Sequence, residues 1–144
     1  MKPNNTAAYL QVLTDVMQHT EKVGGDMNAD FEQLKQALAD GDVKTLGAGK
    51  LAAIATNFQS GTDVYLADLH RLETAKAPVR LLGKHKQLVV AYRDYTEACQ
   101  AMVDAIDAEN ETVDAAVFSD AEHEQEAMMT KISTTMQRII GAAM

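Results

Sequence analysis

Apolar residues recur along this chain in steps of three and four, and the recurrence runs through four successive segments. Leu10, Leu13, Met17, Thr20, Gly24, Met27, Phe31, Leu34 and Leu38 carry it through the first. Groups at that spacing share one face of an α-helix and are satisfied by packing on other helices. The second segment continues with Leu46, Leu51, Ile54, Phe58, Gly61, Tyr65, Leu69 and Leu72. A third presents Leu82, His85, Val89, Tyr92, Thr96, Cys99, Val103, Ile106, Asn110, Val113 and Val117, widened by Leu81, Leu88, Tyr95 and Met102. In the last, Met128, Ile132, Met136, Ile139 and Ala143 form the stripe, with Met129 and Ile140 beside it.

Start and stop signals frame these segments. Asn4, Asn5 or Thr6 suits the first N-cap, and Asp40-Gly41-Asp42 supplies a stop and turn after about Ala39. Gly24-Gly25 interrupts the first helix at a cost of roughly 2 kcal/mol against Ala, yet the heptad phase survives it. One long helix with room for a kink at that pair is therefore expected. Asp42 is the expected cap of the second helix, which ends at Ala75-Lys76-Ala77-Pro78. The third is expected to run on to Val117. Ser119, with Glu122 three residues on and Phe118 before it, reads as a capping box opening the fourth.

Three helices of about 35 to 40 residues would each be about 50 to 60 Å long, and the fourth shorter. Short connections make neighbours antiparallel, so the pattern predicts an all-α, coiled-coil-like, elongated up-down-up-down four-helix bundle. A chain of 144 residues suits a single domain spanning 1–144 that buries a core without staples. Pro occurs only at Pro3 and Pro78, and the abundant residues are good helix formers, which strengthens the all-α reading.

The formal net charge of −8 repels phosphate backbones, so nucleic acid is not an expected partner. No run of about 18 uncharged apolar residues exists, and none near the start serves as a leader, so neither a membrane partner nor export is expected. Cys99, the single cysteine, fits a reducing cytoplasm.

Candidate chemistry is thin. Gly47-Ala48-Gly49-Lys50 lacks the earlier Gly and the Ser or Thr after Lys that a phosphate loop needs. The Glu-x-x-His pairs of di-iron bundles are approximated once, by Asp120-x-x-His123. No carboxylate stands out in mid-stripe with a matching partner. Cys99 and His85 read as core residues, and the methionines at 17, 27, 102, 128, 129 and 136 keep core spacing. No cofactor and no catalytic activity are expected.

Charge is strongly segregated. From Asp94 to Glu126 there are eleven acids and no Lys or Arg, whereas Lys76, Arg80, Lys84, Lys86 and Arg93 precede them with no acid between. In the expected topology Glu109, Glu111, Asp114, Asp120, Glu122, Glu124 and Glu126 gather at one end with Asp40 and Asp42. Acids oppose the helix dipole at the end of helix three. Either that helix breaks near Glu109-Asn110-Glu111, or the acidic end serves a cation or a basic partner. The first reading is a non-catalytic bundle acting through protein contacts or self-association, with Glu109, Glu111, Glu122 and Glu124 on the interaction surface. The alternative is a metal-binding bundle using Asp114, Asp120, His123 and Glu126. A third option is a small-molecule sensor with a pocket around Phe58, Tyr65, Tyr92 and Tyr95.

Overall fold

The computed structural model describes residues 3–143. Four helices dominate it: α1 (Pro3–Asp40), α2 (Val43–Thr74), α3 (Leu82–Asp104) and α4 (Ala115–Ala143). The chain is all-α in class, an up-down-up-down bundle in which α2 packs on α1 and α3, and α3 on α4. Helix α1 is continuous through Gly24-Gly25 and already begins at Pro3, so its N-cap lies outside the described residues.

The first turn forms where its sequence points. Asp42 N–H donates to the Ala37 carbonyl at 3.0 Å and Gly41 N–H to the Leu38 carbonyl at 3.2 Å, the pair of bonds that closes a helix through a left-handed residue. Asp42 occupies the N-cap of α2 but caps with its backbone only, through Thr45 N–H at 2.9 Å. Five residues after that cap the helix breaks: Gly47 has φ 85° and ψ 158°, a conformation that a Cβ would oppose. The apparent phosphate loop is thus a joint between one helical turn and the body of α2. At the far end Pro78 opens a single 3₁₀ turn, Val79–Leu81, that leads into α3.

The third connection departs from expectation. Helix α3 ends at Asp104, well short of Val117, and a small antiparallel hairpin follows: β1 (Ile106–Asp107) and β2 (Thr112–Val113). Asp107 takes Asn110 N–H at 3.1 Å and the Asn110 side-chain amide at 2.8 Å. Such local bonds offer the backbone an alternative to the helix, at a point where acids oppose its dipole. Glu111, at φ 56°, completes the turn. Helix α4 then starts at Ala115, because Asp114 accepts Val117 N–H on its side chain at 3.1 Å. Ser119 lies inside the helix, and no capping box forms there.

The core divides into two clusters. One gathers Tyr9, Leu13, Val16, Leu72, Leu88, Tyr92, Ile132 and Ile139. Nearer the hairpin, the other gathers Leu34, Leu51, Ile54, Phe58, Val103 and Phe118. Met27 touches both.

Helix α1 is seated on α2 far more closely than on α4. A Cβ placed on Gly61 would lie 2.5 Å from Met27 Sδ and 2.9 Å from Val23 Cγ1, so only glycine permits that approach. Polar ties reinforce it: Arg71–Asp15 at 3.1 Å and Lys50–Asp30 at 3.2 Å join the same two helices. Toward α4, the one ion pair among the described residues is Lys35–Glu122, at 2.6 Å.

Gly61→Ala is expected to destabilise the bundle by about 1–3 kcal/mol, because Val23 is β-branched and cannot swing aside. Gly25→Ala, which meets nothing within 4 Å, is expected to stabilise it by about 0.5–1 kcal/mol. Urea unfolding midpoints of the two variants check both signs.

Candidate functional site

Between the two core clusters all four helices leave a pocket of about 290 Å³. It lies along the loosely packed α1/α4 seam. Gly24, Met27 and Phe31 come from α1, and Phe58, Thr62 and Tyr65 from α2. Helix α3 supplies Tyr95, Cys99 and Met102, and α4 supplies Glu122, Gln125, Glu126 and Met129. Its volume sits at the lower edge of the range for small-molecule sites. Three flexible methionines among its walls let the shape adapt.

The polar groups inside are few. Thr62 is satisfied, donating to the Phe58 carbonyl at 2.8 Å. Tyr95 donates to Tyr65 over 3.5 Å, the outer limit of a hydrogen bond, and the Tyr65 hydroxyl donates to no other described group. Gln125 is loosely held, 3.4 Å from the Ala98 carbonyl and 3.7 Å from Met102 Sδ. Burial pushes both the Tyr65 phenol and the Cys99 thiol up to about 12. Tyr95 is driven further up by burial, with Cys99 and Tyr65 adding to it. All three are therefore neutral donors at neutral pH, and Cys99 is a poor nucleophile.

The hairpin-side edge of the mouth is tied across the seam. Phe31 of α1 stacks on Phe118 of α4, ring centroids 5.7 Å apart and 15° from parallel. Above it Lys35 reaches Glu122, with its ammonium 5.7 Å from the Phe31 ring centre. Hydrogen bonding to Glu122, followed by the charge of Glu122 itself, raises the Lys35 pKa. Glu126 lines the same mouth and makes no ion pair among the described residues.

Two buried polar pairs lie outside the pocket. Asp68, 2% exposed, bonds His19 Nδ1 at 2.9 Å and leaves its Oδ2 without a partner. A carboxylate with a matching partner thus does sit in mid-stripe, contrary to expectation: Asp68 is three residues after Tyr65 and four before Leu72. One ordered water would satisfy the free oxygen. Nearer the opposite end, the Tyr9 hydroxyl lies 2.8 Å from His85 Nδ1. The Leu72 carbonyl lies near the same ring and favours its protonated form.

The acidic residues of the α3/α4 end divide among several surroundings. Glu109 and Glu111 belong to the hairpin, and Asp114 is engaged as the α4 cap. Asp120 and Glu124 instead line a shallow groove with Asp94 and Glu97, on the α3 side of α4. Glu122 and Glu126 face the pocket, and His123 is exposed between the two surfaces. No three or more His, Cys, Asp or Glu among the described residues are grouped to hold a metal ion. Asp120 and Glu126 point into different grooves, which separates the ends of the expected set. Of the aromatic residues expected around a pocket, Phe58, Tyr65 and Tyr95 line it. Tyr92 stands behind them, donating to Thr20 at 2.9 Å while Thr20 donates to the Val16 carbonyl.

Compared with known proteins, the chain matches no family model, no curated protein and no solved structure. No described helix is long and apolar enough to cross a membrane.

Burial holds the His85 pKa below 6.5, with the Leu72 carbonyl pulling the other way. The unfolded chain then takes up a proton below pH 6.5 that the folded state refuses, so stability falls as pH drops until the folded imidazole also protonates. The double variant Tyr9→Phe/His85→Leu removes both partners together. It is expected to flatten that part of the loss below pH 6.5, read from urea midpoints.

Proposed function

We propose that this chain is a non-catalytic small-molecule-binding bundle, a sensor or carrier whose ligand enters between α1 and α4. The observation that carries this reading is the pocket itself: about 290 Å³, apolar on most sides, and sited where the core divides. Its tyrosine hydroxyls and the Gln125 amide are weakly engaged and few, the composition of sites that orient a ligand. A catalytic role draws no support from the same groups. Cys99 is the only nucleophile of note there, its thiol is pushed up to about 12, and no histidine lines the cavity beside it.

Gly24 supports the reading further. A Cβ at that position would stand 3.8 Å from the Tyr65 hydroxyl, so a larger side chain would grow into the cavity. Its neighbour Gly25 faces open space.

A second reading, contact with a basic protein partner, is favoured by the groove between α3 and α4. There Asp94, Glu97, Asp120 and Glu124 surround Ala98, Ala101 and Ala121.

A thermal-shift screen of small molecules tests the first reading. A ligand at about 100 times its Kd adds about 2.7 kcal/mol, or about 5–10 °C for a chain of this size. Such shifts are expected for the wild type and for Gly25→Leu, and are expected to vanish in Gly24→Leu. Iodoacetamide labelling of Cys99 should slow under the same ligands. Shifts that persist in Gly24→Leu would place binding elsewhere.

A further inference from the structure

The pocket has a chemical polarity that narrows what it takes, an inference that rests on the binding reading above. Its interior wall is apolar or neutral: Met27, Phe58, Met102 and the tyrosine rings of Tyr65 and Tyr95. Its ionised groups are both acids on one face of α4, Glu122 and Glu126. Lys35 partly neutralises the first, at 2.6 Å, and Glu32 adds a further negative charge close enough to act on Lys35. The remaining carboxylate, Glu126, makes no ion pair among the described residues, although its charge also reaches Lys35. An anionic ligand would face two carboxylates and one lysine already engaged. A neutral one would leave the mouth charge unused.

We propose that the pocket binds a compact organic cation: a protonated amine on an apolar body, about nine to fifteen non-hydrogen atoms at interior packing density. The body lies against Met27, Phe58 and Met102, and the ammonium meets Glu126 at the mouth. The faces of Tyr65 and Tyr95 add a cation-tolerant wall, since aromatic faces attract positive charge. Charge-assisted contact with Glu126 is the interaction expected to discriminate.

Three probes of one shape test this on the full chain: 2-phenylethylamine, 2-phenylethanol and 3-phenylpropionate, each titrated with NMR-observed chemical shifts giving Kd. The amine is expected to bind about tenfold tighter than the alcohol, and the carboxylate more weakly than either. Glu126→Gln is expected to erase the preference for the amine while leaving the alcohol's Kd unchanged. Glu124→Gln carries the same change of charge but faces the other groove, and is expected to keep the preference. Equal binding of amine and alcohol to the wild type, or a preference that survives Glu126→Gln, overturns the cation and leaves the pocket reading intact. If all three probes fail to bind, or shift resonances of Gly24→Leu and wild type alike, the pocket reading falls and the cation with it.

Discussion

The close seat of α1 on α2 at Gly61 sets the terms for the rest of the bundle. Four amphipathic helices in a ring can share their contacts evenly, and then the core closes around a single axis. Here Val23 and Met27 press against a residue without a side chain, and two ion pairs hold the same interface. The opposite flank of α1 is left facing α4 across a seam bridged by the Phe31–Phe118 stack and by Lys35–Glu122. The pocket is what that asymmetry leaves behind. It requires no strained backbone and no unusual loop, only unequal spacing of otherwise ordinary helices.

Charge follows a similar logic of division. A continuous α3 would have carried acids to its negative end, where they are unfavourable. The hairpin interrupts the helix at Asp104 and re-uses two of the acids locally, Asp107 in its turn and Asp114 as the next cap. What remains on α4 is split by the helical twist. Asp120 and Glu124 face α3, while Glu122 and Glu126 face α1. The acidic run in the sequence is therefore several surfaces, each with its own neighbours.

Much of the architecture was legible because burial leaves a periodic trace. Leu51, Ile54, Phe58, Tyr65 and Leu72 are buried as their spacing requires, and so are Ile132, Met136 and Ile139. The α3/α4 connection was not, for a definite reason. Ile106 and Val113 are seven residues apart and continue the stripe, yet they pair directly across the hairpin with their side chains half-buried. A heptad interval cannot distinguish two turns of helix from a strand that folds back; Asp107 and Asn110, three apart and able to bond each other, were the discriminating signal. Asp68 was missed by the opposite error: its charge hid a buried position beside Leu69, which is buried as its own place in the stripe requires. Three of the aromatic residues around the pocket could be named from the sequence. Its opening could not, since seam width depends on how closely Gly61 admits α1, a tertiary quantity.

The division of the core has a consequence for how the molecule opens. Two apolar clusters that share Met27 offer two places where packing can loosen separately. A molecule lodged between Phe58 of one cluster and Tyr65 of the other touches both. A filled gap would tie the two clusters together, so that occupancy at the middle of the bundle would be felt as rigidity at its distant ends.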